Sequence, residues 1–345
     1  MKIVVDDKIP YILPALRELA DEVVAKRGAD ITAADVRDAH ILIVRTRTRC
    51  DRRLLEGSSV ALIVTATIGY DHLDTDYLRQ AGIEWTNCPG CNATSVAQYV
   101  GNSLLLLQRE RGFKLKESTV GIVGVGHVGT AVVERLRGLG VKRILLNDPP
   151  HKERGDAAPA GLAWSSLQRL ATEADVITFH TPLTRILPHP TYHLADAAFF
   201  RRLRRKPIII NAARGGVVDE EALLEALGSG RASEAIIDTW EGEPKVNRRL
   251  LEKAFIATPH IAGYSADGKA NATRMTLAAV YRFMGRPMTF EIEPPALPAD
   301  IILSADPAER ALELYNPLAD TAHLRAAPEL FERLRADYPL RREQS

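Results

Sequence analysis

The chain contains few cysteines, no excess of charge of either sign and no long apolar run. Its three cysteines, Cys50, Cys88 and Cys91, fit a reducing compartment better than a framework of disulfides, because their number is odd. Lys and Arg number 45 and Asp and Glu number 44, so no overall field favours nucleic acid or an acidic membrane surface. Membrane-spanning and secretory-signal patterns are also missing. We therefore expect a cytoplasmic protein that binds neither nucleic acid nor membrane.

What the sequence does contain is a repeated alternation of short apolar runs with amphipathic stretches. Its 345 residues suffice for roughly two or three domains, each with a core of its own. The apolar runs KIVVD, HILIV and ALIVT alternate with helical patterns before Pro89, and further runs follow later in the chain. This order predicts α/β domains with parallel sheets.

A complete dinucleotide-binding pattern lies between Thr119 and Asp148, in the segment TVGIVGVGHVGTAVVERLRGLGVKRILLND. Gly124 permits a tight turn after a buried strand, Gly126 allows a pyrophosphate to approach the backbone, and Gly129 allows helix and strand to pack closely. Asp148 follows about 20 residues later, where a carboxylate accepts hydrogen bonds from a ribose and repels a 2′-phosphate. The segment predicts binding of NAD rather than NADP, and a glycine-rich turn in another parallel fold is the alternative.

Four later apolar runs each end in polar residues. The runs are Val176–Phe179, Ile208–Ile210, Ala235–Ile237 and Phe255–Ala257. Ligands of open α/β sheets collect at the carboxyl ends of strands. The residues that follow the runs are therefore candidates for a site: His180 and Thr181, Asn211 to Arg214, Asp238, and His260.

Several specific blocks of the sequence resemble the D-2-hydroxyacid dehydrogenase family. The blocks are TATIGYDHLD, PGCNATSVAQYV, GIVGVGHVG, FHTPL, INAARGGVVDEEAL, DTWEGEP and TPHIAGYSADGKA. The resemblance covers residues 1 to about 284 and, in shortened form, the C-terminal stretch. It implies an NAD-dependent dehydrogenase, in a branch that oxidises a small phosphorylated 2-hydroxy acid in pyridoxal phosphate biosynthesis.

The resemblance also implies roles for individual residues. The catalytic residues of the family fall on Arg214, Glu243 and His260. Its cofactor contacts fall on Gly124, Gly126, His127, Val128, Gly129, Asp148, Thr181, Ala212, Asp238 and Gly263. Its substrate contacts fall on Arg45, Thr46, Thr67 and Tyr264.

The chemistry of the reaction supports the three catalytic assignments. Oxidation of a 2-hydroxy acid needs a base, and the pKa of histidine lies near the working pH, so His260 suits that role. Glu243 would orient the imidazole and stabilise its charged form, and Arg214 would hold the substrate carboxylate with its planar fork. Asp238 is expected beside the nicotinamide. Taken singly, each catalytic assignment has an equally good alternative: His260 as a histidine in a turn, Glu243 as a solvated acid and Arg214 as a surface cation.

The segment RTRTR offers candidates for the phosphate end of a substrate. Arg45, Arg47 and Arg49 alternate, so in an extended segment they share one face. A solvated strand end is an equally good interpretation for Arg47 and Arg49. The Cys88-x-x-Cys91 pair has no second pair and no spaced histidines, so we expect no metal site.

The resemblance implies two doubly wound parallel-sheet domains and a short C-terminal dimerisation region. A flavodoxin-like substrate domain covers residues 1–93 and 264–286, a Rossmann NAD domain covers 94–263, and the dimerisation region covers 287–345. We expect a homodimer to bury an apolar stripe in the last region, and to bring Arg341 or Arg342 towards the partner's substrate. The alternative is a tail packed on its own subunit. The stripe consists of Leu330, Phe331, Leu334, Tyr338 and Leu340.

Two other functions remain open at this stage. The same chemistry fits another substrate, such as glycerate, hydroxypyruvate or 3-phosphoglycerate. A protein that senses NAD without catalysis, as a transcriptional corepressor does, is the second alternative. The presence of Arg214, Glu243 and His260 together argues against the corepressor.

Overall fold

The structure is a computed structural model that describes residues 1–297, 301–339 and 341–343. The strands are β1 (Lys2–Asp6), β2 (Glu22–Lys26), β3 (Ile41–Val44), β4 (Leu62–Thr65), β5 (Glu84–Thr86), β6 (Thr119–Val123), β7 (Arg143–Asn147), β8 (Val176–Phe179), β9 (Ile208–Asn211), β10 (Glu234–Ile237) and β11 (Ile256–Ala257). The helices are α1 (Ile12–Leu19), α2 (Ala33–Val36), α3 (Arg52–Leu55), α4 (Thr75–Ala81), α5 (Ala93–Arg111), α6 (His127–Gly138), α7 (Pro149–Glu153), α8 (Leu167–Glu173), α9 (Ala197–Arg201), α10 (Glu220–Gly228), α11 (Arg248–Lys253), α12 (Ala266–Phe283), α13 (Pro307–Leu314), α14 (Pro317–Ala326) and α15 (Phe331–Ala336). Among the described residues, no helix combines the length and the apolar composition that crossing a bilayer requires.

The chain divides into two compact units. Unit 1 comprises Met1–Asn92 and Ser265–Ala296, and unit 2 comprises Ala93–Tyr264 and Leu297–Ser345. The C-terminal stretch therefore groups with unit 2 from Leu297 onwards. The functional roles predicted for the domains stay predictions.

Unit 1 is built on a parallel sheet of five strands in the order β2-β1-β3-β4-β5. Every residue of β3 and β4 is buried, as expected for parallel strands covered on both faces. Helix α12 returns to this sheet, and its Ala270 and Leu277 belong to the same core as Ile3 and Ile43. The strand order is the flavodoxin-like one, with the topological switch point between β1 and β3. Two parallel-sheet α/β domains were predicted, and the fold class is confirmed.

Unit 2 is built on a parallel sheet of six strands in the order β11-β10-β9-β8-β6-β7. Beyond β7, Trp164 forms an isolated parallel bridge to Leu146. This bridge occupies the place of the outer strand in the Rossmann order 3-2-1-4-5-6. The switch point lies between β6 and β8, where the glycine turn follows β6.

The C-terminal helices pack within their own chain and complete unit 2. Tyr315 joins the core that contains Tyr99 of α5, and Phe331 is fully buried in the core that contains Ile237. The Thr321 hydroxyl accepts a hydrogen bond from the backbone N–H of Ala257 at 3.0 Å. The apolar stripe was expected to need a partner chain. For Phe331 this expectation is wrong, because its side chain is fully buried within its own chain. Leu340 lies outside the described residues.

Candidate active site

The glycine turn between β6 and α6 has the geometry of a dinucleotide cradle. Gly124 has φ of 85°, and a Cβ on Gly129 would overlap the carbonyl oxygen of Gly124, so both positions require glycine for internal reasons. A Cβ on Gly126 would meet no protein atom within 4 Å. The space beside the Gly126 backbone is therefore free of protein atoms, so a ligand can approach the backbone there. Helix α6 begins there, and the first-turn N–H groups of His127 and Val128 are suited to bind a pyrophosphate.

Two side chains beside the turn also fit a dinucleotide. Asp148 follows β7, and its Oδ2 accepts a hydrogen bond from the N–H of Val125 at 2.8 Å, so the carboxylate lies against the glycine turn. Its Oδ1 caps α7 by accepting from the N–H of His151 at 3.1 Å. The Thr181 hydroxyl is buried without a hydrogen-bond partner in the described structure. A buried orphan hydroxyl at the end of β8 is explained by a ligand that completes its hydrogen bonding.

His260 and Glu243 form a hydrogen-bonded pair in unit 2. Nδ1 of His260 lies 2.8 Å from Oε2 and 3.1 Å from Oε1 of Glu243, and both side chains are about three-quarters buried. Glu243 also accepts from the N–H of Trp240 at 2.9 Å. Burial raises the pKa of Glu243, but the hydrogen bond and charge of His260, the Trp240 N–H and the charge of Arg335 together hold it below its ordinary value. Because Nδ1 is engaged by the carboxylate, Nε2 is the ring nitrogen that remains available for a proton transfer.

Asp238 holds the backbone that carries His260. Its carboxylate is buried and accepts from the Thr258 hydroxyl at 2.7 Å and from the N–H groups of Ile261 at 2.7 Å and Ala262 at 3.0 Å. Burial raises the pKa of Asp238, although these donors and the charge of His260 act in the opposite direction. His260 itself has φ of 57°, a conformation that a histidine keeps only when its surroundings enforce it. The expected contact of Asp238 with the nicotinamide stays a prediction.

Arg214 lies in the turn after β9, which Asn211 shapes from within. The Asn211 side chain donates to the Arg214 carbonyl at 3.1 Å and accepts from the Ala213 N–H at 3.2 Å. A Cβ on Gly215 would overlap the backbone of Trp240, so the Arg214 turn abuts the loop that leads to Glu243. Ala212 lies in the same turn. The structure thus brings the Arg214 turn against the loop of the Glu243–His260 pair.

The C-terminal tail contributes a residue to this site that the sequence did not indicate. Arg341 is buried, and its guanidinium donates to the carbonyls of Ile261, Ala262 and Tyr264 at 3.0, 2.6 and 2.6 Å. The guanidinium also lies 3.8 Å from the ring centroid of Tyr315. The expectation that Arg341 reaches a partner's substrate is therefore wrong, because its donors are used on the loop that holds Gly263. Arg341 contacts residues that lie more than 75 positions earlier in the chain, and no local pattern indicates such a contact.

The residues predicted to contact substrate in unit 1 lie at the carboxyl ends of β3 and β4. Arg45 directly follows β3, and Thr46 is exposed beside it. Thr67 follows β4, where its hydroxyl donates to the Gly69 carbonyl at 2.8 Å and lies 2.7 Å from the Thr65 hydroxyl. Arg49 is 71% exposed and pairs with Asp51, which favours the solvated interpretation of this arginine.

Comparison with known proteins agrees with this arrangement. Residues 96–262 match the family model of the D-isomer specific 2-hydroxyacid dehydrogenase NAD binding domain. A Bacteroides thetaiotaomicron protein named erythronate-4-phosphate dehydrogenase is 54% identical over 344 residues, which cover 100% of this chain and 97% of that protein. A solved protein from Thermus thermophilus shares 28% identity with a TM-score of 0.67, covering 86% of this chain and all of that one.

The fold is also that of a D-lactate dehydrogenase from Aquifex aeolicus, solved with NAD and lactic acid. The two chains superpose with a TM-score of 0.64 at 24% identity, covering 83% of this chain and 96% of the other. The full-length identity above half and the matched NAD-binding domain settle the assignment. The chain belongs to the D-isomer-specific 2-hydroxyacid dehydrogenases and, within them, to the erythronate-4-phosphate dehydrogenase family.

Proposed function

We propose that the chain oxidises 4-phospho-D-erythronate to 2-oxo-3-hydroxy-4-phosphobutanoate with NAD, as a step of pyridoxal 5′-phosphate biosynthesis. The observation that supports the chemistry is the 2.8 Å hydrogen bond between Nδ1 of His260 and Glu243, which leaves Nε2 available for proton transfer. The substrate follows from the name of the relative that is 54% identical over the full chain. The intact acid–base pair favours an enzyme over a protein that only senses NAD.

The residues of the chain divide the work of a hydride transfer. NAD, when bound, supplies the hydride acceptor. The proton of the substrate hydroxyl passes to Nε2 of His260, and Glu243 stabilises the imidazolium that forms. Arg214 binds the substrate carboxylate and polarises the reacting carbon. The substrate contacts expected at Arg45, Thr46, Thr67 and Tyr264 stay predictions.

A comparison of substrates tests this proposal. The full chain is assayed for formation of the 2-oxo product from 4-phosphoerythronate, erythronate, glycerate and 3-phosphoglycerate, with a second 2-oxo acid present to reoxidise the bound cofactor. We expect kcat/KM to be highest for 4-phosphoerythronate by at least about tenfold, the scale of a lost charged hydrogen bond. A higher value for any other member of the panel assigns the chain a different substrate.

We also propose that the protein is a cytoplasmic homodimer. Ile302 is 92% exposed, and Ile301 beside it is also exposed, so unit 2 keeps an apolar surface in its C-terminal stretch. A symmetric dimer is the commonest way to cover such a surface.

A location in the cytoplasm is supported by the three free thiols, which are all buried. Burial raises the pKa of the Cys50 thiol to about 12.

Light scattering tests the dimer. Ile302→Glu should convert a dimer into a monomer, whereas the matched control Ile186→Glu, at another exposed isoleucine, should leave the mass unchanged. A wild-type chain with the mass of a monomer would refute the proposal.

A further inference from the structure

A row of hydrogen-bonded side chains in unit 1, formed by His72, Thr65 and Thr67, ends beside the carboxyl end of β4. The Thr65 hydroxyl lies 3.0 Å from Nε2 of His72 and 2.7 Å from the Thr67 hydroxyl. The Thr67 hydroxyl in turn donates to the carbonyl oxygen of Gly69 at 2.8 Å. Thr65 is inaccessible to solvent and His72 is buried, whereas Thr67 is only partly buried. Thr67 is therefore the member of the row that a ligand can reach.

The direction of each hydrogen bond in this row follows from the number of hydrogens available. A carbonyl oxygen can only accept, so the one hydrogen of the Thr67 hydroxyl is directed to Gly69. The bond between the two threonine hydroxyls must then use the hydrogen of Thr65. Because that hydrogen is directed to Thr67, the Thr65 oxygen can only accept from His72. Nε2 of His72 therefore carries a hydrogen.

His72 donates this hydrogen in either of its protonation states. Burial lowers the pKa of His72, although the charge of Asp71 acts in the opposite direction, so the ring is neutral near neutral pH. The single N–H of the neutral ring is then the one at Nε2. Protonation would add a hydrogen at Nδ1 and would leave the Nε2–H in place. His72 and Thr65 are thus positioning residues that hold the Thr67 hydroxyl in one orientation.

This orientation leaves Thr67 with an acceptor, and with no donor, for a ligand. A hydroxyl oxygen has one hydrogen and two lone pairs. In Thr67 the hydrogen is used on Gly69 and one lone pair accepts from Thr65, so a single lone pair remains. A carboxylate or a fully ionised phosphate has no hydrogen to donate and would be repelled by this lone pair. The group that fits it is a hydroxyl group of a ligand.

We infer that Thr67 accepts a hydrogen bond from a substrate hydroxyl group other than the one that is oxidised. The inference rests on the proposed function for the reaction, and on the position of Thr67 just after β4, at the edge where open parallel sheets bind ligands. In the proposed reaction the hydroxyl at carbon 2 gives its one hydrogen to His260, so it has none left for Thr67. In 4-phosphoerythronate the remaining hydroxyl is at carbon 3. Thr67 therefore selects 2,3-dihydroxy acids over their 3-deoxy counterparts.

The first test compares kcat/KM of the full chain for 4-phosphoerythronate and for 2-hydroxy-4-phosphobutanoate, which lacks the hydroxyl at carbon 3. Wild type should prefer the first substrate by about tenfold to a hundredfold, because the second leaves the Thr67 acceptor unsatisfied. Thr67→Val should reduce this ratio to about threefold or less, and Thr67→Ser, which keeps the hydroxyl, should retain most of it. The matched control Thr86→Val removes a hydroxyl that donates to the Asn87 carbonyl at the end of β5, and it should leave the ratio unchanged.

The second test examines the His72 ring without any substrate. Nitrogen NMR of the full chain labelled at histidine, with the His72 signals identified by their loss in His72→Gln, should show a neutral ring with its hydrogen on Nε2. His72→Gln keeps a donor for Thr65 and should preserve the substrate ratio. His72→Phe allows the two threonine hydroxyls to reverse their hydrogen bond, so it should lower the ratio by about threefold or more.

The outcomes separate this inference from the proposed function. A hydrogen on Nδ1 of His72 instead of Nε2 overturns the inference, as does wild-type kcat/KM that is equal for the two substrates within about twofold. A ratio that Thr67→Val leaves unchanged also overturns it. The proposed function fails separately, if another acid of the panel is the better substrate. In that case the ratio of kcat/KM for glycerate and lactate, which differ by the same hydroxyl at carbon 3, still decides the inference.

Discussion

His260 is held in an uncommon backbone conformation by donors and acceptors on every side. Its N–H donates to the Asp238 carbonyl at 2.9 Å, its Nδ1 binds Glu243, and the next two N–H groups bind the Asp238 carboxylate. These contacts place the imidazole without using Nε2. An imidazole fixed in this way does not need to reorganise when a proton is transferred.

Replacing His260 or Arg214 should therefore affect turnover much more than cofactor binding. We expect His260→Ala and Arg214→Ala each to lower kcat by at least about a hundredfold, the usual scale for a lost acid–base or charge-stabilising group. NAD titration should give an affinity close to that of wild type, since neither residue belongs to the glycine turn. A folded variant that binds NAD and retains near-normal turnover would show that the roles are wrongly assigned.

Asp148 should set the preference for NAD over NADP. Its carboxylate lies against the glycine turn and would face the 2′-phosphate of NADP, so Asp148→Ala should narrow the preference, chiefly through weaker NAD binding. Because the same carboxylate caps α7, the alanine variant also loses about 1 kcal/mol of stability. Asp148→Asn is the control that keeps a capping oxygen. Steady-state kinetics with NAD and with NADP test this prediction. A wild-type enzyme with a higher kcat/KM for NADP than for NAD would contradict it.

At the scale of elements, the C-terminal tail is a structural part of the catalytic loop. Arg341 ties residues 261–264 to α5 through Gln98, whose Oε1 accepts from Nε of Arg341 at 3.0 Å. The tail helices also bury Leu324 and Phe331 in the core of unit 2. Removal of the whole tail would therefore expose a core and would not isolate any role in dimerisation.

A single substitution in the tail is the sharper experiment. Arg341→Met should lower the free energy of unfolding by about 2–3 kcal/mol, because it leaves buried carbonyl oxygens without donors. Hydrogen exchange at residues 260–264 should become faster as the loop loosens. Arg333→Met, at an arginine that is 76% exposed, is the matched control. Equal denaturation curves and exchange rates for the two variants would show that Arg341 does not hold the loop.

At the scale of the whole molecule, the sequence predicted what depends on local pattern. The glycine turn, Asp148 and the polar residues at strand ends were found because strand, turn and helix follow one another in the chain. The contacts of Arg341 with the loop of residues 261–264 were not found. These contacts join residues more than 75 positions apart, and no periodic pattern indicates such contacts. Trp164 was missed as well, since one bridge is too short to show strand alternation.

Transfer of hydrogen from carbon 2 of the substrate to NAD tests the account most directly. The full chain is incubated with NAD and 4-phospho-D-erythronate that carries deuterium at carbon 2, and both products are analysed by mass spectrometry. We predict deuterium in the nicotinamide of the reduced cofactor and a 2-oxo product without the label. Reduced cofactor without deuterium, or no reduced cofactor in a single turnover of the NAD-loaded chain, would contradict the account.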